Sequence, residues 1–171
     1  ADLEQASKSL QTVAPRVFGY LATDITASNP LVTGDAIMAP MFNGDALTVQ
    51  GINPNIMFVY PEEGANIWGD YLVVSKESPN KELAFDFINF LNMPEIALAN
   101  ARFVNYATPN TAAKALADDE YRNNPVIFPP QEIVATAHVI QPLPVRAEHL
   151  HANIFVRTLS RFAMTLEGGR Q

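Results

Sequence analysis

The stretch IMFVYPEEGANIWGDYLVV (56–74) decides how this chain of 171 residues is read. An apolar run, Ile56-Met57-Phe58-Val59-Tyr60, stops at Pro61, turns through Glu62-Glu63-Gly64, and restarts at Ile67-Trp68-Gly69-Asp70-Tyr71. β-Branched and aromatic residues bounded by proline and glycine predict two strands, 56–60 and 67–74, joined by a turn. The chain's one tryptophan enters the second strand two residues before a carboxylate. A tryptophan there is ordinarily core. Beside an acid it is also what an organic ammonium ion needs, because the ring face attracts the cation and the carboxylate accepts its N–H protons.

Upstream, Leu3, Ala6, Leu10 and Val13 stand at helical spacing, and Pro15 ends that helix. Residues 17–21 read as a short strand and AIMA (36–39) as a strand buried on both faces. Asn29-Pro30-Leu31-Val32 starts a helical turn closed by Gly34, and Asn43 or Asp45 caps a helix over 46–50. Downstream, Ser78-Pro79-Asn80 opens the clearest helix. Leu83, Ala84, Phe87, Ile88 and Leu91 form its stripe, and Phe85 and Phe90 widen it, which predicts a well-buried element.

Asn92-Met93-Pro94-Glu95 reads as cap, first-turn proline and carboxylate, launching a helix to 104. Short helices follow at 111–116, from Asp118-Asp119-Glu120, and at 131–137. PVIFPP (125–130) is extended, 141–144 is a proline-rich connection, and a long helix from 145 to about 166 closes the chain at Gly168-Gly169. Strands alternating with helices give an α/β class with a mainly parallel or mixed sheet.

Composition removes several function classes. A net charge of −7 opposes phosphate backbones, which argues against nucleic acid. There is no cysteine, so disulfides, thiol chemistry and most structural zinc sites are excluded. No apolar run approaches a membrane span, and Ala1-Asp2-Leu3-Glu4 starts a polar helix rather than a signal peptide. His149 and His151 lie two apart on a helix and point about 200° apart, and His138 stands alone. Glu62-Glu63 diverge in a turn, and the Asp118-Asp119-Glu120 charges suit a helix N-terminus. With no phosphate-binding glycine loop and no nucleophile elbow, the expectation is a non-enzyme without metal or cofactor.

The succession NGDAL (43–47), VYPEEGANIWGDYLVV (59–74), FDFINFLNMPEIA (85–97), NYATPN (105–110) and VIFPP (126–130) resembles the second half of bacterial polyamine-binding proteins. These are the spermidine/putrescine receptors of ATP-driven importers, and the likeness runs in order from about Gln5 to about Pro144. By that resemblance, Trp68 packs on polyamine methylenes, Asp70 grips an ammonium group, and Tyr106 lines the same cleft. Phe42 stands where relatives commonly carry tryptophan, and Gln141 lies near a family glutamine that reaches the ligand.

The resemblance implies an α/β, periplasmic-binding-protein-like (type II) mixed sheet with flanking helices, incomplete relative to the two-lobe family fold. Residues 1–65 and 111–171 would belong to the second lobe and 66–110 to the first, with a crossover at each end of that middle segment. The implied function is a solute-binding module of an ABC import system. Its implied partners are a polyamine such as putrescine or spermidine and a membrane permease. The implied place is the periplasm, or the outer face of a Gram-positive cell by a lipid anchor. Relatives are nearly twice as long, so sheet edges and apolar faces are expected to need a complementary chain or a second copy. The alternative is a receptor half that binds no ligand alone and works by assembling.

Overall fold

The structure, a computed structural model, describes residues 2–20 and 24–168. The chain divides into two compact units, one of Ala1–Ala22 with Gln141–Gln171 and one of Thr23–Ile140.

In the first unit, α1 (Asp2–Val13) runs into a 3-10 turn (Ala14–Arg16) where Pro15 removes a helical N–H. Both pack against the closing helix α9 (Val145–Gly168). Ala14 and Thr158 are buried, the Tyr20 ring meets Phe162 edge-on at 5.3 Å, and the Arg161 guanidinium donates to Gln11 Oε1. The strand expected at 17–21 is not formed over 17–20, and Leu21 and Gly169 lie outside the described residues.

The second unit holds the remaining elements: α2 (Pro30–Thr33), α3 (Asn43–Ile52), β1 (Asn66–Ile67), α4 (Lys81–Leu91), α5 (Pro94–Val104), α6 (Thr111–Leu116), α7 (Asp119–Arg122), α8 (Gln131–Thr136) and β2 (His138–Val139). Its core is small. Ala101, Ala117, Tyr121 and Ile127 are buried, with Leu47, Leu98 and Phe128 packed against them. Phe128 meets Tyr121 edge-on at 5.3 Å and carries the Lys114 ammonium 3.8 Å above its face, a cation–π contact.

The ends of these helices place the segments between them. Pro94 opens α5, and Asn105 closes it in the left-handed region (φ 58), which asparagine tolerates better than most residues. Tyr106 N–H then returns to the Ala101 carbonyl at 3.1 Å. Asp118 accepts from the Tyr121 N–H at 2.9 Å to start α7 and pairs with the Arg102 guanidinium. Asn43 Nδ2 and the Tyr60 hydroxyl both donate to the Val126 carbonyl, at 2.7 and 2.8 Å, tying α3 to the turn before α8.

The sheet is where expectation and structure part. Among the described residues only β1 and β2 pair, in parallel, Asn66 with His138 and Ile67 with Val139. The runs at 36–39, 56–60 and 68–74 form no ladder. Over 56–60 burial still alternates as in a strand: Phe58 and Tyr60 turn inward, while Met57 and Val59 face out. A strand is completed by a neighbour's N–H and C=O groups, and no described segment offers them here. Among the described residues the mainly parallel or mixed sheet is therefore reduced to one two-residue pair, and most of those residues are helical.

Three further expectations are corrected. Helix α4 is not well buried: Leu83, Phe85, Phe87 and Phe90 are all exposed, and Ala84, Ile88 and Leu91 of the expected stripe are only half-buried. Met93 rather than Asn92 is the N-cap of α5, since Asn92 closes α4 and donates to its Ile88 carbonyl at 2.9 Å. Neither Asn43 nor Asp45 caps α3; both lie inside it, behind Phe42. No helix among the described residues is long and apolar enough to cross a membrane.

Asn110 caps α6 through Ala113 N–H at 3.0 Å and donates to the Asn92 carbonyl at 2.8 Å, linking α6 to the end of α4. Asn110→Ala removes both bonds and is expected to cost about 1–2 kcal/mol. Urea unfolding checks this by a lower midpoint at unchanged slope. An unchanged midpoint would show that the cap contributes nothing.

Candidate ligand-binding site

Three aromatic rings converge in the second unit. Phe42 is the N-cap of α3 (φ −68, ψ 146), and its ring lies 4.6 Å from that of Trp68, tilted by 49°. Trp68 directly follows β1, so the β1–β2 pair fixes the backbone that delivers it. Its ring meets Tyr106 edge-on, 6.1 Å between centroids at 76°. Phe42 and Trp68 keep 52% and 41% of their surface exposed, which leaves aromatic faces open to a ligand.

Two carboxylates join the rings. The Tyr106 hydroxyl donates to Asp45 Oδ1 at 3.2 Å. Asp45 sits in the first turn of α3, where the helix dipole favours negative charge. Burial, then the Asp45 charge and hydrogen bond, and the more distant Asp70 charge push the Tyr106 phenol up to about 12. The phenol therefore stays protonated at neutral pH and remains a donor. Asp70 is exposed, two residues beyond Trp68.

Tyr106 is held from several sides. Its carbonyl accepts from the Tyr121 hydroxyl at 2.7 Å and its N–H is bound to Ala101. Its neighbour Asn105 donates to Thr48 Oγ1 at 3.1 Å, and Thr48 in turn donates to the Gly44 carbonyl at 3.1 Å.

Of the residues singled out in the sequence, Phe42, Trp68 and Tyr106 thus form one cluster with Asp70 at its side. Gln141 belongs to the first unit, on the exposed stretch before α9. Spacing alone assigns Asp45 to a helix cap; the structure places it beside Tyr106. The sequence signal for that place is its spacing of three from Phe42, the relation of an N-cap to the third helical residue. Glu62, Glu63, His149 and His151 are exposed, and no three acidic or histidine groups among the described residues are placed to hold a metal.

The family model described as "Bacterial extracellular solute-binding protein" matches residues 1–129. The chain is 31% identical over 133 residues to the spermidine/putrescine-binding periplasmic protein of Escherichia coli (strain K12), covering 78% of this chain and 38% of that one. It is 27% identical to a putrescine/agmatine-binding protein of Pseudomonas aeruginosa (91% and 44% covered). A norspermidine sensor of Vibrio cholerae is 30% identical (89% and 43% covered). The chain spans about two-fifths of the length of these relatives.

A raised tyrosine pKa favours the folded state while the phenol is protonated. The contribution is present below about pH 10, the unfolded value, and is lost as pH rises through about 12. Asp45→Asn is expected to bring the Tyr106 phenol back toward 10 and to flatten the stability loss in that window. NMR of ζ-13C-labelled tyrosine reads the titration directly. A phenol still near 12 in the variant would show that Asp45 does not hold it.

Proposed function

The chain belongs to the bacterial extracellular solute-binding proteins, and from that premise we propose that it is the solute-binding module of an ABC importer for a polyamine such as putrescine or spermidine. The observation that carries this reading is the joining of three rings with the Asp45 carboxylate, with Asp70 exposed two residues beyond Trp68. A polyamine is an apolar methylene chain punctuated by ammonium groups. Indole and phenyl faces take the methylenes and attract the cations, while Asp70 and Asp45 accept the ammonium protons. The Tyr106 phenol aligns the Asp45 carboxylate and adds no charge of its own. No step here breaks a covalent bond, so the module is a binder and not an enzyme.

The names of the relatives, spermidine/putrescine-binding and putrescine/agmatine-binding, support the solute class. The partner on this reading is a membrane permease. The module would work in the periplasm, or lipid-anchored outside a Gram-positive cell. Residues 66–110 would contribute to one lobe and the flanking parts to the other.

A second reading is favoured by a separate observation. Ile37, Met57, Val59, Tyr71 and Val73 face solvent along runs that have no ladder partner among the described residues, and the α4 phenylalanines are exposed. Such edges and faces invite pairing with further polypeptide. On this reading the chain holds no ligand alone and acts by assembling with a complementary chain or a second copy.

Isothermal titration with putrescine and spermidine, coupled to light scattering, separates the two. The first reading expects a monomer that binds with micromolar affinity. It also expects a Trp68→Ala, Asp70→Asn double variant to bind at least about tenfold more weakly. Absence of heat from the monomer, with heat from an assembly, transfers the function to the second reading. Binding unchanged in the double variant sinks the proposed site.

A further inference from the structure

Resting on the polyamine reading, the geometry points to Gly44 as a positioning residue: the side chain it lacks leaves the place in which the Tyr106 ring lies. Gly44 is buried in the first turn of α3 with a negative φ, so its backbone conformation does not require glycine. Glycine is among the weakest helix formers, and its use here calls for a reason of space. The space is occupied by one group. A Cβ at position 44 would lie 2.5 Å from Cδ2 and 2.7 Å from Cζ of Tyr106, and closer still to Cε2.

All the nearest atoms belong to that one ring, the movable end of a side chain, so the substitution would displace the ring more readily than the helix. The Tyr106 backbone is not free to follow. Its N–H and carbonyl are bound to Ala101 and Tyr121, and the Asn105–Thr48–Gly44 chain ties the same turn to α3. Relief must come by rotation of the side chain. That rotation takes the hydroxyl away from Asp45 and the ring edge away from Trp68. Gly44 thus acts through Tyr106 on both the acid and the tryptophan, without touching a ligand. Gly51, in the same helix, supplies the matched control, because a Cβ there meets nothing within 4 Å.

The test compares Gly44→Ala with Gly51→Ala in the full chain, with and without Tyr106→Ala. The first readout needs no ligand. In Gly44→Ala the ζ-13C resonance of Tyr106 is expected to titrate well below 12, and in Gly51→Ala it is expected to stay near 12. The second readout is calorimetry with putrescine. Gly44→Ala is expected to weaken binding by roughly tenfold or more, yet to change nothing further once Tyr106 is alanine.

A Tyr106 phenol unmoved by Gly44→Ala overturns the inference, as does an equal loss of affinity in both backgrounds. If Gly44→Ala fails to fold, rescue of folding by the added Tyr106→Ala supports the inference, and failure of the double variant overturns it. Wild-type chain that takes up no putrescine counts against the polyamine reading alone, since the phenol titration decides the role of Gly44 independently.

Discussion

Tyr106 is fastened at its backbone and at its ring, and the arrangement of the second unit turns on that fastening. The Tyr121 hydroxyl holds its carbonyl, the end of α5 holds its N–H, and its phenol donates a hydrogen bond to Asp45. Its ring lies where Gly44 has no side chain. These contacts join α3 to α5 and α7, which lie far from it in sequence, around a core of few residues. The same side chain that completes this packing presents its edge to Trp68. Stability and a candidate binding surface therefore share one residue.

The two walls of the cluster are built differently. Phe42, Asp45 and Tyr106 stand at helix ends cross-linked by the Asn43–Val126, Asn105–Thr48 and Tyr106–Asp45 hydrogen bonds. Trp68 and Asp70 ride on a segment secured by the two-residue β1–β2 pair just before them and then unpaired through 74. A wall held by several hydrogen bonds opens less readily than one with few. The tryptophan side is the one expected to adjust when a cation arrives, while the tyrosine side keeps its geometry.

Helices were legible in the sequence because their signals are local. Pro94, Asn110 and the acids at 118–120 mark starts that coincide with α5, α6 and α7. Caps were less legible where an aromatic or methionine took the position, as Phe42 and Met93 do without any side-chain bond. Strands were legible only as patterns. The alternation over 56–60 is present, but a ladder depends on a distant partner that no local pattern encodes. The exposed stripe of α4 carries the same lesson, since amphipathicity marks a face to be covered and not what covers it. In the cluster, Trp68 with Asp70 could be noticed from spacing alone. Asp45 could not be separated from a helix cap until Tyr106 was seen to donate to it.

The central claim is that the rings and carboxylates around Trp68 form a cation site. With a single tryptophan in the chain, its emission reports on that place alone. Trp68 fluorescence should be followed while putrescine is added, and again while the uncharged diol of the same carbon length is added. The account predicts a saturable change with the diamine and none with the diol. Equal responses to both, or no response to either, would contradict it.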